Sequence, residues 1–141
     1  MFFRKGKPAP EDPGPAEQCR TEAEALYSSG KYHCAEAVLE TVRRRFSPQT
    51  PETVVGTVSG FGGGSGSGCI CGAISGGTVA IGLVLQNKKQ TADMTRQLHD
   101  WFREQYGVTC CKTIRANNDK GICLKLTGEV AGKIAEMLST V

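Results

Sequence analysis

Cysteine is the residue type in this chain whose side chains and spacing could do chemistry. Seven occur among the 141 residues, namely Cys19, Cys34, Cys69, Cys71, Cys110, Cys111 and Cys123. They form neither the C-x-x-C pair of a thioredoxin-type site nor the paired C-x₂₋₄-C of zinc ribbons. The first residues lack the apolar core of a secretion signal, and an odd number of thiols cannot all pair. The sequence therefore favours metal or redox chemistry over a disulfide framework.

Four of the cysteines share one local setting, because each follows a glycine by two to four residues. We expect each glycine to end one element, which puts each cysteine near the first turn of the next helix. Backbone N–H groups at a helix start lower the pKa of a thiol. If folding brings the four together, they make the ligand set of an iron–sulfur cluster or of a closed zinc site. This four-cysteine set consists of Cys34, Cys71, Cys111 and Cys123.

A glycine-rich segment runs directly into two of the cysteines, over residues 60–68, and is called the glycine loop below. It contains no G-x-G-x-x-G motif, and no Lys-Ser or Lys-Thr follows its last glycine, so nucleotide binding is not indicated. One interpretation is a flexible connector. The other is a cofactor cradle, since backbone N–H groups of glycines can approach an anionic sulfur centre closely. The candidate cradle residues are Gly62, Gly63, Gly64 and Gly68.

The elements that must position these cysteines are predicted to be helices. Apolar residues recur at helical spacing, and residues 70–85 are apolar nearly all round, which is typical of a buried helix. The fold class is therefore all-α, a compact bundle of five to six helices around this central apolar helix. The predicted helices cover residues 16–29, 31–46, 70–85, 91–106 and 122–138, with a short helix near residues 50–58 and a short turn near residue 111.

Domain organisation follows from the prolines. Four of the six lie within residues 1–15, which predicts a disordered, flexible arm, and residues 16–141 are then a single helical domain. The net charge of +3 and the absence of a basic stripe argue against nucleic-acid binding. No apolar run is long enough for a membrane span, so we expect a cytoplasmic protein. Trp101 and Phe102 are interpreted as core residues or as the contact of a homodimer.

Several segments together resemble the C-GCAxxG-C-C family of redox-active proteins. They are residues 23–30 (AEALYSSG), 34–39 (CAEAVL), 61–64 (FGGG), 71–77 (CGAISGG) and 106–112 (YGVTCCK), followed by Cys123. Cys71 is taken as the central motif cysteine because Ala73 and Gly76 then match, although the chain has Cys-Gly-Ala where the family label has Gly-Cys-Ala. Cys111 is matched because the basic Lys112 follows it.

The resemblance implies a helical fold and a redox role through the four-cysteine set. A related domain attached to a haem protein holds a two-iron cluster, so the resemblance also implies an iron–sulfur cluster, most simply a two-iron one. Such a protein would carry electrons to or from a redox partner protein, or would sense redox state. The haem segment of that related protein has no counterpart in this chain.

Two other functions stay open at this point. One is a metal-free thiol–disulfide switch using Cys69 with Cys71 or Cys110 with Cys111. The other is a structural or interaction domain stabilised by zinc. The only histidines are His33 and His99, and no standard catalytic constellation is present, so an oxidoreductase and an electron carrier are both compatible with the sequence.

Overall fold

The structure is a computed structural model that describes residues 13–141. Over this range the only β pairing is an isolated bridge between Ile70 and Cys110, so the all-α prediction is confirmed. No helix in the described range is long and apolar enough to cross a membrane. The described residues form six α-helices, α1 (Pro15–Ser28), α2 (Cys34–Phe46), α3 (Gly72–Leu85), α4 (Lys88–Tyr106), α5 (Cys111–Ala116) and α6 (Ile122–Leu138), one 3₁₀ helix (Glu52–Phe61) and one short π-helical segment in the glycine loop (Gly64–Gly68).

Helix α3 is the central apolar helix of the bundle. It contacts α2, α4 and α6, and also the 3₁₀ helix. Ile74 and Ile81 are fully buried on it, together with Ala73 and Ala80. Since apolar side chains cover most of its circumference, it is stable only where neighbouring helices remove it from water on several sides. The predicted central helix is therefore confirmed, with its start two residues later than expected.

Other element boundaries also differ from the sequence-based expectation: α2 begins at Cys34 instead of residue 31, α4 begins at Lys88 instead of residue 91, and the short helix predicted near residues 50–58 is the 3₁₀ helix Glu52–Phe61. Pro15, assigned to the arm, is the first residue of α1, a position where the missing N–H of proline costs no hydrogen bond. Residues 1–12 of the predicted arm lie outside the described residues. The segment predicted as a turn near Cys111 forms the short helix α5, with Cys110 at its N-cap.

The last turn of α2 carries a buried ion pair. Glu40 is completely buried, and its carboxylate accepts hydrogen bonds from Arg43 at 2.7 Å and Arg44 at 2.6 Å. Burial raises the pKa of Glu40, but these two guanidinium groups outweigh burial and hold it below its ordinary value. Arg43 and Arg44 therefore compensate the buried negative charge of Glu40, which would have no partner without them.

Helices α2 and α3 approach each other closely because two residues of α3 at the contact, Gly72 and Gly76, have no side chains. A Cβ atom on Gly76 would overlap the carbonyl oxygen of Ala35 and lie 2.7 Å from its Cα. A Cβ on Gly72 would lie 2.5 Å from the sulfur of Cys34 and 2.8 Å from the carbonyl oxygen of Phe61. Any larger residue at either position would push the start of α2 away from α3.

We predict that Gly76→Ala lowers the free energy of unfolding by about 1–3 kcal/mol, because backbone atoms of α2 leave no room for a methyl group. Gly82→Ala on the same helix is the matched control. A Cβ there meets its nearest neighbour, Thr91, at 3.6 Å, so this change should be neutral or stabilise by about 0.4–1 kcal/mol. Urea unfolding followed by circular dichroism measures both. Equal effects of the two substitutions would contradict the proposed close approach of the helices.

Candidate functional site

A cavity of about 830 Å³ is lined by all four members of the four-cysteine set, and we call it the four-cysteine cavity. Each cysteine comes from a different helix start. Cys34 and Cys111 are the first residues of α2 and α5, Cys71 immediately precedes α3, and Cys123 is the second residue of α6. The prediction that each of these cysteines lies near the first turn of a helix is therefore confirmed. Folding brings to one cavity four thiols that are far apart in the sequence.

The thiols lie close enough to act on one another electrostatically. The pKa of Cys34 is raised to about 11, chiefly by burial and in smaller part by the neighbouring Cys123 and Cys111. The pKa of Cys71 is raised to about 12, again chiefly by burial, with Cys34 and Cys111 acting in the same direction. The pKa of Cys123 is raised as well. Burial has the largest effect, Arg115 lowers the pKa, and Cys111 raises it.

The expectation that helix starts lower these pKa values is wrong for three of the four cysteines. Backbone N–H groups at the helix starts do lower the thiol pKa, that of Ala35 at Cys34 and those of Ala73 and Ile74 at Cys71. The N–H of Ala35 donates to Nδ1 of His33, and that of Ile74 donates to the carbonyl oxygen of Cys71. Burial outweighs them because a thiolate in an apolar setting loses more solvation than a few amides restore. In the metal-free protein, Cys34 and Cys71 are therefore neutral thiols at neutral pH.

The glycine loop forms part of the cavity rim. Gly63 and Gly68 line the cavity, as does Gly66. Gly64 lies between the backbone nitrogen of Cys69 and the Cβ of Cys111, at 2.6 Å and 2.8 Å from where its own Cβ would be. Its φ of +66° also favours glycine. The loop thus packs against Cys111, while the N–H groups that lower the pKa of Cys34 and Cys71 belong to the starts of α2 and α3.

The fourth loop residue predicted to contact a cofactor, Gly62, lies instead against the ring of His33. A Cβ on Gly62 would be 2.9 Å from the Cδ2 atom of that histidine. His33 is the N-cap of α2. Its Nδ1 accepts from the N–H of Ala35 at 3.2 Å, and its Nε2 lies 2.8 Å from the carbonyl oxygen of Ser59, to which it donates. The imidazole therefore holds the 3₁₀ segment to the helix that begins with Cys34.

The sequence interpretation missed this role of His33. Glu36, three residues on, accepts from the backbone N–H of His33 and completes a capping box. The acidic residue three positions after the cap was the available signal, but the usual caps are Ser, Thr, Asp and Asn rather than His. The other histidine, His99, hydrogen-bonds through Nδ1 to the carbonyl oxygen of Thr95 within α4, far from any cysteine in the sequence.

Tyr27 and three basic residues also line the cavity and were not predicted to do so. The hydroxyl of Tyr27 lowers the pKa of the Cys123 thiol. The basic side chains lie between Cys111 and Cys123 in the sequence and place positive charge where thiolates would form. They are Lys112, Arg115 and Lys120.

The remaining cysteines do not line the cavity. Cys19 is buried in the core on α1, Cys69 is exposed and Cys110 is half-buried, and all seven thiols are free. Among residues 13–141, no group of three or more His, Cys, Asp or Glu side chains is arranged closely enough to hold a metal ion. The four sulfurs thus share a cavity without forming a preassembled single-ion site.

Phe102, interpreted as a core residue or a dimer contact, is completely buried. Trp101 is half-buried against the core, and the amine of Lys133 lies 5.9 Å from the centre of its ring. Phe102 is therefore a core residue of the bundle, and Trp101 is placed at its edge.

Comparison with known proteins gives one finding on the family. The family model described as "Putative redox-active protein (C_GCAxxG_C_C)" matches residues 32–137. The match includes the four-cysteine set and the glycine loop, whereas Cys19 and Tyr27 precede it. No curated protein and no solved structure was found to match the chain.

We predict that the burial of Cys71 makes the metal-free protein less stable at high pH. A thiol pKa of about 12 in the folded state, above its ordinary value of 9.0, adds stability that is complete below pH 9 and is lost as the pH rises towards 12. The stability difference between wild type and Cys71→Ala should therefore shrink by roughly 2 kcal/mol between about pH 9 and pH 11. Urea unfolding under reducing conditions with a chelator measures it. A difference that stays constant or grows would contradict the prediction.

Proposed function

This chain belongs to the C_GCAxxG_C_C family of redox-active proteins, and on that premise we propose that its four-cysteine set binds an iron–sulfur cluster, most simply a two-iron cluster. The cluster would serve electron transfer or redox sensing. The observation that supports this best is the convergence of four thiols, each from its own helix start, on one cavity. An electron-transfer role also requires a redox partner protein.

The chemistry of the donors fits the cluster. Thiolates are soft ligands that match iron, and four of them complete the coordination of a two-iron cluster. The missing side chain at Gly72 leaves space beside the sulfur of Cys34, which a Cβ would otherwise approach to 2.5 Å. The cavity of about 830 Å³ exceeds the volume of a few atoms, so room is not limiting.

The surrounding residues can stabilise the ligands in their charged form. Metal binding replaces the protons of the thiols, so the neutral state of Cys34 and Cys71 in the empty protein is compatible with loading. The N–H groups of Ala73 and Ile74 lower the pKa of Cys71, and the Tyr27 hydroxyl lowers that of Cys123, so these groups favour the charged form of both ligands. A bound cluster supplies one-electron transfer at a potential that hydrogen bonds to sulfur and solvent exposure adjust.

The zinc alternative has less support from the geometry. A single tetrahedral zinc ion, with Zn–S bonds of about 2.3 Å, draws its four sulfurs to within about 4 Å of one another. No three suitable side chains of the described chain are arranged this way. A two-iron cluster divides its ligands between two metal ions, which suits thiols spread around one cavity.

The local disulfide pairs also have less support. Cys71 and Cys111 are buried and line the cavity, whereas their sequence neighbours Cys69 and Cys110 are exposed and half-buried outside it. Each proposed local pair would thus have to join a thiol inside the cavity to one outside it. A vicinal disulfide between Cys110 and Cys111 would in addition distort the start of α5.

We predict that the chain, expressed with iron and purified without oxygen, contains about two iron and two sulfide per chain and absorbs visible light. Each of Cys34→Ser, Cys71→Ser, Cys111→Ser and Cys123→Ser should lose most of this iron, because each removes one ligand. Cys69→Ser is the matched control and should keep it, since Cys69 is exposed and does not line the cavity.

Iron and sulfide assays with absorption spectra measure the outcome. Colourless, iron-free wild-type protein from cells with intact cluster assembly would contradict the proposal. So would equal iron loss in the control and in the four ligand variants. Tightly held zinc in the wild type would favour the structural alternative.

A further inference from the structure

One wall of the four-cysteine cavity, formed by α5 and the connection to α6, is positively charged. Three cationic side chains line it, Lys112, Arg115 and Lys120. Asp119 is the one aspartate or glutamate of residues 13–141 that lines the cavity. Three positive charges and one negative charge leave an excess of two positive charges, and all of them lie within nine residues of one another along the chain.

Arg115 lacks the partners that the other arginines of the described chain have. Within residues 13–141 its guanidinium forms neither an ion pair nor a hydrogen bond, and Lys112 and Lys120 form no ion pair. The N–H donors of all three are therefore available to a ligand. The other described arginines either bond to the Gln18 amide, as Arg45 does, or pair with a carboxylate, as do Arg20, Arg43, Arg44, Arg96 and Arg103.

The cations are spread along the wall from the glycine loop to Cys123. Lys112 is at the loop, because the Cβ position of Gly68 lies 3.1 Å from the Cβ of this lysine. Arg115 follows three residues later, on the same face of α5. Burial raises the pKa values of Cys123 and Tyr27, and the guanidinium of Arg115 lowers both, so Arg115 lies near these two side chains. A group bound between Lys112 and Arg115 is therefore inside the cavity.

The cavity has room for an organic molecule. Its volume of about 830 Å³ lies within the roughly 300–1,000 Å³ that is usual for small-molecule sites. The two iron and two sulfide atoms of a two-iron core would take about 120 Å³, at roughly the volume of one water molecule each. Ile114, Ile122 and Leu126 also line the cavity. It thus combines apolar surface with a few charged groups, as small-molecule sites do.

We propose that this cavity binds a small phosphate monoester, with the phosphate on Lys112, Arg115 and Lys120 and the organic body against the apolar side chains. The planar guanidinium can donate two parallel hydrogen bonds to phosphate oxygens, and lysines bind phosphate as point charges. A phosphate monoester has a charge of about −1.5 to −2 at pH 7, which matches the two excess positive charges better than one carboxylate does. The inference needs the cavity but not the proposed cluster.

The test titrates the metal-free full chain with phenyl phosphate in a calorimeter, under reducing conditions with a chelator. Saturable binding of one molecule per chain is expected. Arg115→Gln and Lys112→Gln should each weaken it roughly tenfold, because each removes charge-assisted hydrogen bonds to the phosphate. Lys88→Gln is the matched control and should change the affinity less than about twofold, since this exposed lysine at the start of α4 does not line the cavity.

Thiol labelling shows where the probe binds. Cys34 and Cys123 are half-buried and line the cavity, whereas Cys69 is exposed and does not. Saturating phenyl phosphate should slow the reaction of Cys34 and Cys123 with N-ethylmaleimide and leave the rate at Cys69 unchanged. Mass spectrometry of tryptic peptides follows each cysteine separately.

Absence of saturable binding would overturn the proposal, as would equal weakening in Lys88→Gln or unchanged labelling of Cys34 and Cys123. Benzoate, which joins the same ring to a single charge, should bind more weakly. Inorganic phosphate, which has no organic body, should also bind more weakly. Equal affinity of either one would contradict the assignment to a phosphate monoester. Circular dichroism checks that the variants fold. Because the protein contains no iron in this test, failure here leaves the cluster proposal untouched, and iron-free wild type leaves this one untouched.

Discussion

The close approach of α2 to α3 is the constraint on which the site depends. Gly72 and Gly76 have no side chains where the backbone of Ala35 and the sulfur of Cys34 come nearest to α3. Their spacing of four residues puts both glycines on one face of α3, so the start of α2 packs against two successive turns of that face. This contact sets the position of Cys34 relative to Cys71. The other two thiols of the set, Cys111 and Cys123, are positioned by α5 and α6. A motif rich in small residues is therefore a geometric requirement of the site.

Burial explains why these thiols are neutral, and it also makes them suited to binding metal. A thiol pKa of about 12 for Cys71 means that the proton stays on sulfur until a stronger Lewis acid replaces it. The N–H groups at helix starts and the basic residues at the rim are already in place for the charged form.

Much of the fold could be predicted from the sequence, because the period of apolar residues and the glycines at the ends of elements are local signals. They placed α6 at its observed bounds, and they placed each of the four cysteines at a helix start. The direction of the pKa shifts could not be predicted, since it depends on how completely packed helices exclude water from Cys34 and Cys71. The contribution of Tyr27 was missed for a related reason, since it depends on which distant residues the fold brings near. The His33 cap did have a local signal in Glu36, three residues on, but histidine is not one of the usual cap residues.

Iron K-edge X-ray absorption of the chain purified without oxygen tests the central claim most directly, because it reports the atoms bound to iron. The account predicts iron surrounded by sulfur alone, with a second iron nearby, as expected when four cysteines and bridging sulfides supply every ligand. Iron bound mainly by oxygen or nitrogen, or protein without iron, would contradict it.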